Sequence, residues 1–257
     1  MKAIFISDAH LRKSSDERYI KMMDFLDDIQ KGNIREEDGS QTNEIDKKLI
    51  DDLYIAGDFF DYWFCTKKKI NPEFKPVIDK LIELQKAGIR IHLNEGNHDF
   101  FIGEYFHDVL GMNVYEEIIQ TKLDHLNVLV AHGDTTDSSN TRYLFLRKVL
   151  RSRLFYYFQR FVPAAFRWKL AGFTSTASKE LTVEDGDALV KKMHSYAFSK
   201  FHDGYDAIIL GHSHVPGIRH HTIADKKKTF VTLGDWIRHY SYLYYEDDNF
   251  YLRYYRS

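Results

Sequence analysis

Short apolar runs recur along the chain, and each stops on polar residues able to do chemistry. Ala3-Ile4-Phe5-Ile6 ends at Ser7-Asp8, Leu53-Tyr54-Ile55-Ala56 at Gly57-Asp58, and Ile89 to Leu93 leads into Glu95-Gly96-Asn97-His98. Val128 to Ala131 runs into His132-Gly133-Asp134, and Ala207 to Leu210 into Gly211-His212-Ser213-His214. Runs of this length bounded by turn formers predict buried strands. Between them, Ile20, Met23, Phe25, Leu26 and Ile29, and again Val77, Ile78, Leu81, Ile82 and Leu84, follow the helical period. Strands alternating with helices predict an α/β architecture. Gly32 to Lys48 is polar and reads as a surface insertion. After Lys226-Lys227-Lys228, the runs Phe230 to Leu233, Tyr240 to Tyr245 and Phe250 to Tyr255 predict terminal antiparallel strands with tyrosines filling a sheet.

Composition narrows this picture without redirecting it. The 257 residues, 44% hydrophobic and 29% charged, suffice for one large or two small domains and exclude disorder, collagen and coiled coil. With 36 Lys plus Arg against 38 Asp plus Glu, the net charge of −2 gives no overall attraction for nucleic acid, so any polyanion site is local. One cysteine, Cys65, makes no internal disulfide, which fits a reducing compartment. Ala3 to Ile6 is too short for a signal-peptide core, and no stretch approaches a membrane span. The expected address is the cytoplasm, with contact to a membrane surface allowed.

Ser138 to Lys179 stands apart. It holds nine basic residues, from Arg142 to Lys179, and no Asp or Glu, interleaved with aromatics such as Tyr143, Phe145, Phe155 and Trp168. This predicts an inserted cationic helical cap over 138–199, between core segments 1–137 and 200–257.

The strand ends carry the chemistry. Divalent cations need carboxylate, imidazole or amide oxygen ligands from several elements, and strand ends in an α/β fold meet at one rim. Asp8 and His10 lie two apart, so an extended segment would aim both the same way. Asp58, Asn97, His132, His212 and His214 occupy the other strand ends. Taken singly, Gly-Asp is a turn and Asp-x-His a surface pair. Seven such residues at five successive strand ends form a set of candidate metal ligands.

Asp8-x-His10, Gly57-Asp58-x-x-Asp61, Gly96-Asn97-His98-Asp99, His132-Gly133 and Gly211-His212-x-His214 resemble the five-block signature of the calcineurin-like metallophosphoesterases. The resemblance implies two mixed β-sheets in a sandwich flanked by helices, with a dinuclear metal centre at one edge. Asp8, His10 and His214 would hold one cation, Asn97, His132 and His212 the other, and Asp58 would bridge them. His98 would lie near the leaving group, supported by Asp61. Leu53 to Phe64, Gly96 to Gly103 and His132 to Thr135 are similar to blocks of the bacterial UDP-2,3-diacylglucosamine diphosphatases of lipid A synthesis. That likeness implies cleavage of a UDP-linked diacylated sugar to UMP and 2,3-diacylglucosamine 1-phosphate (lipid X). It also implies Mn²⁺, with Fe²⁺ or Zn²⁺ as substitutes, and a cap binding the lipid substrate and the cytoplasmic face of the inner membrane.

The chain also departs from that family. His98 stands where many members have Arg, and Asp61 where they often have Glu. Of the substrate contacts the likeness implies, Tyr143 and Ser178 agree. Asn140 falls where an Asp is expected, and Thr182 and Asp185 where an Asn and a Lys are. Two other functions use the same residues. One is a metal-dependent phosphodiesterase on nucleotides or nucleic acid, against which the near-neutral charge counts. The other is a non-catalytic scaffold, against which the intact ligand set counts.

Overall fold

Period-2 alternation in β1 (Lys2–Ile6) buries both faces of the strand. Ile4 and Ile6 point to one side and Ala3 and Phe5 to the other, and all four are fully buried. The computed structural model describes residues 1–33, 50–161 and 186–255; Ser178, Thr182, Asp185 and most of the Gly32 to Lys48 stretch lie outside the described residues. Parallel to β1 run β2 (Asp52–Ala56), then β3 (Arg90–Asn94) and β4 (Asn113–Tyr115). A second group comprises β5 (Ile118–Leu123), β6 (Leu126–Ala131), β7 (Ala207–Leu210), β8 (Pro216–Ile223) and β9 (Lys226–Leu233). The hairpin β10 (Ser241–Glu246) and β11 (Asn249–Tyr254) returns to the first sheet, β10 antiparallel to β1. The sheets are therefore six-stranded, β11-β10-β1-β2-β3-β4, and five-stranded, β5-β6-β7-β9-β8.

Helices cover the outer faces. On the first sheet lie α1 (Glu17–Lys31) and α2 (Lys75–Lys86), which bury Met22, Leu26, Val77 and Leu81 against Ile4, Ile6, Leu53 and Ile55. The short α3 (Gly103–Phe106) follows β3, and α4 (Thr141–Leu150) and α5 (Arg153–Phe161) follow β6. On the second sheet, α6 (Gly186–His202) buries Val190, Met193, Ala197 and Phe201 against Leu129, Ile208, Leu210 and Phe230. Between the sheets, Phe5, Tyr54, Val130, Ile209, Val231 and Tyr245 form the middle of the sandwich. Each such side chain contributes about 1.5–3 kcal/mol when taken from water.

The α/β class with two mixed sheets and flanking helices matches the expectation. The terminal strands differ. All three runs are strands with antiparallel partners, but they divide between sheets: β9 pairs antiparallel with β8 and parallel with β7 in the second sheet, while β10 and β11 extend the first. α6 falls mostly within the 138–199 stretch expected as cap and runs on to His202, and its apolar stripe packs on the second sheet. Among the described residues no helix is long and apolar enough to cross a membrane.

Candidate metal centre

The C-terminal ends of β1, β2, β3, β6 and β7 open onto one rim, and the backbone there is unusual. Asp8, His10, Asp58, His212 and His214 all have positive φ, between 45° and 64°. For residues with a Cβ this conformation costs on the order of 1 kcal/mol or more. Asp8 and His10 are therefore not aligned by the alternation of an extended segment; tight left-handed turns aim them instead. The loops stay zipped as they turn, since the Asp8 N–H donates to the Gly57 carbonyl at 3.1 Å and the His10 N–H to that of Asp58 at 2.9 Å. Gly57 itself has φ 85°, and a Cβ there would sit 2.6 Å from His132 Nδ1.

These turns bring the candidate ligands together. His214 Nε2 lies 3.5 Å and His10 Nε2 3.9 Å from Asp8 Oδ1. His10 Nε2 is 3.7 Å and His132 Nε2 3.5 Å from Asp58 Oδ2, so Asp58 faces both groups. Asn97 Oδ1 is 2.9 Å from His132 Nε2, and the His212 ring packs 4.9 Å from the His132 ring. The second oxygen of each carboxylate is held by main chain: His212 N–H donates to Asp8 at 2.9 Å and His98 N–H to Asp58 at 2.8 Å. His98 Nε2 lies 4.0 Å from Asp58 Oδ2. Its Nδ1 is 2.9 Å from the main-chain carbonyl of Asp61, whereas the Asp61 carboxylate sits 3.9 Å away and closer, 3.6 Å, to His10 Nδ1.

The electrostatics call for a cation. Burial pushes Asp8 up to about 6, and burial together with the charges of Asp99 and Asp8 raises Asp58 well above the carboxylate range. Burial drives His10 down to about 3, His212 to about 4, and His132 well below the usual imidazole range. The imidazoles are thus neutral, as metal ligands must be. Asp8 Oδ1 and His10 Nε2 are buried without a hydrogen-bond partner. His132 faces an oxygen at each nitrogen, the Ala56 carbonyl at 3.1 Å and Asn97 Oδ1 at 2.9 Å, and a neutral ring has one N–H for the two. A divalent cation with oxygen and imidazole ligands satisfies all of these groups.

Three carboxylates that the pattern reading gave no role support this rim. Asp99, fully buried, accepts from Asp58, Phe59, Phe60 and Gly96 N–H at 2.7–3.1 Å and so joins the loops after β2 and β3. Asp235 accepts from the N–H groups of Ile237, Arg238 and His239 and lies 3.5 Å from His214 Nδ1. Burial opposes its charge, but His214 and those donors outweigh that and hold it below the usual range. Burial opposes the charge of Asp134, but the Arg147 guanidinium 2.6 Å away helps hold its carboxyl below the usual range. The signals were present as Asp99 in Gly-Asn-His-Asp and Asp134 in His-Gly-Asp.

The cap-side residues fall as follows. The Asn140 side chain caps α4 by accepting from Tyr143 N–H at 3.2 Å, and the buried Tyr143 hydroxyl donates to Asp134 at 2.8 Å. Ser178 lies outside the described residues. A groove beside the rim runs from Asn97 and His98 between Tyr62, Phe64 and Phe100 on one side and Leu146, Leu150 and Phe155 on the other.

Fold and rim together define a hydrolase of the metallophosphoesterase type. The chain belongs to the calcineurin-like phosphoesterase family, whose model matches residues 1–216; that family uses divalent metals. It is 28% identical over 243 residues, 91% of this chain and 91% of the other, to the UDP-2,3-diacylglucosamine hydrolase of Pseudomonas entomophila (strain L48). To the protein of that name from Pseudomonas syringae pv. tomato it is 30% identical over 189 residues, 72% of this chain and 75% of the other. An archaeal phosphodiesterase of known structure overlays at 12% identity and a TM-score of 0.46, covering 99% of each chain.

Proposed function

We propose that this phosphoesterase hydrolyses the diphosphate of UDP-2,3-diacylglucosamine to UMP and 2,3-diacylglucosamine 1-phosphate, using two divalent cations, Mn²⁺ first among them. The observation that carries this reading is a rim in which buried Asp8 Oδ1 and His10 Nε2 lack hydrogen-bond partners, beside a groove that starts at Asn97 and His98 and is walled by Phe100, Leu146 and Leu150. A substrate with an anionic diphosphate and acyl tails needs both halves. The relatives' shared name supports the same substrate.

Asp8, His10 and His214 would hold one cation, Asn97, His132 and His212 the other, with Asp58 between. When bound, such a pair supplies the positive charge that a phosphoryl transition state needs. Asp58 would need to be a carboxylate, because its Oδ2 faces both groups of ligands and a negative charge there would offset the repulsion between two cations. Water would add to one phosphorus and give up a proton to solvent as the P–O–P bond breaks, and the departing phosphate oxygen would leave near His98. With Nδ1–H given to the Asp61 carbonyl, His98 presents Nε2 to the rim, where it can hold or hand over a proton. The aromatic groove takes an acyl chain and excludes water. On the outside of α4 and α5, the exposed Phe145, Val149, Leu154 and Tyr157 stand among exposed Arg142, Lys148 and Arg153, a face suited to an anionic bilayer.

The test supplies synthetic UDP-2,3-diacylglucosamine with Mn²⁺ and measures UMP. UMP release supports the reading. Rapid cleavage of simple phosphodiesters without UMP release overturns the substrate, and a chain that takes up no divalent cation overturns the chemistry.

A further inference from the structure

The cap is charged toward the core as well as toward solvent. Tyr143 and Arg147 on α4 and Arg151 at its C-cap are spaced four apart and so lie along one face. Each grips a loop that carries a candidate ligand. Arg147 Nε donates to Asp134 at 2.6 Å and its two other arms to Glu117 at 2.8 and 3.2 Å, while the Tyr143 hydroxyl donates to the same Asp134 oxygen. Arg151 donates to Glu95 at 2.8 Å and to the Gly96 carbonyl at 2.9 Å. Asp134 follows His132 by two residues, and Gly96 immediately precedes Asn97. The Tyr143 ring also lies 6.4 Å from that of His212.

In the other half, His10 faces Asp61 and His214 faces Asp235; its ties to the gripped half run through Asp8, which accepts from the main-chain N–H of His212, and through the shared Asp58. We propose that α4 is a positioning element for one cation of the pair: its docking through Arg147 and Arg151 sets the affinity of the Asn97, His132 and His212 half and acts on the Asp8, His10 and His214 half less, only through Asp8 and the shared Asp58. This rests on the dinuclear reading above. Groups that orient metal ligands change metal affinity about 10-fold to 100-fold when removed. The coupling is reciprocal, so loading that cation holds α4 to the core by the same factor.

The experiment uses the full chain stripped of metal and titrated with Mn²⁺, following stoichiometry and both affinities, with hydrogen exchange of the α4 amides as a second readout. His212→Ala and His214→Ala assign the two binding steps. In Arg151→Met and Arg147→Met, the step lost in His212→Ala should weaken about 10-fold or more, the other should weaken clearly less, and Mn²⁺ should no longer slow α4 exchange. Arg151→Lys keeps a cation beside Glu95 but offers no planar fork, so it should fall between wild type and Arg151→Met. Equal weakening of both steps, or none, overturns the proposal while leaving the metal centre intact. A wild-type chain that binds fewer than two Mn²⁺ overturns the dinuclear reading itself.

Discussion

Replacing Asp99 by Asn keeps the size of the side chain and removes one acceptor from the most densely used carboxylate in the rim. One of its oxygens serves the N–H groups of Asp58 and Gly96, at 3.1 and 2.8 Å, and the other those of Phe59 and Phe60, at 2.7 and 3.1 Å. An amide can satisfy one pair; its NH₂ then confronts the other. Two buried donors left facing a donor cost about 1–3 kcal/mol each. Removing a carboxyl that burial already pushes upward offsets part of that, so the expected loss is about 2–4 kcal/mol. Urea unfolding of the metal-free protein should show it as a lower midpoint with unchanged slope. A loss below about 1 kcal/mol would refute the view that Asp99 clasps the two loops.

Other substitutions test the rim from different sides. Asp58→Asn should abolish hydrolysis and lower metal content, whereas His98→Asn should slow turnover about 10²–10⁴-fold with metal content kept; equal metal loss in both, read by elemental analysis, contradicts these roles. Gly57→Ala should destabilise the fold and weaken metal binding, because the new Cβ meets His132 Nδ1 at 2.6 Å in a backbone of positive φ; thermal melts with and without Mn²⁺ measure both effects. Asp137 accepts from Lys192 Nζ at 2.8 Å, and the Lys192 and Ser139 donors lower its carboxyl from 3.8 to about 2. A depressed acid adds stability that is complete above its unfolded value and lost as pH falls through the folded one. Wild type should therefore lose an increment between about pH 4 and pH 2 that Asp137→Asn lacks, seen as converging urea midpoints.

What the pattern revealed was the part of the fold with two dry faces. β1, β2, β6 and β7 are unbroken apolar runs because sheet or helix covers both sides, and their ends carry the ligands because loops must turn there. Edge strands left weaker marks. β8 reads Pro-Gly-Ile-Arg-His-His-Thr-Ile, with Arg219 and His220 exposed, and β5 alternates Ile119 inward with Gln120 outward, so neither forms a run. Partnerships across long separations are also silent in a linear pattern. Arg147 and Arg151 read as part of a cationic cap, yet they are consumed by Asp134, Glu117 and Glu95 of the core. The left-handed turns at Asp8 and His10 had no glycine to announce them.

Those turns set stability and activity at odds. A glycine at position 8, 10, 58, 212 or 214 would relax the backbone, and it would also delete a group that the rim needs. A selection for heat resistance alone, run without metal or substrate, should drift toward such replacements and yield a sturdier protein that has ceased to be an enzyme. Sequences that retain all five side chains are recording pressure from chemistry, and divergence at these positions is the place to look for members of the lineage that have been released from it.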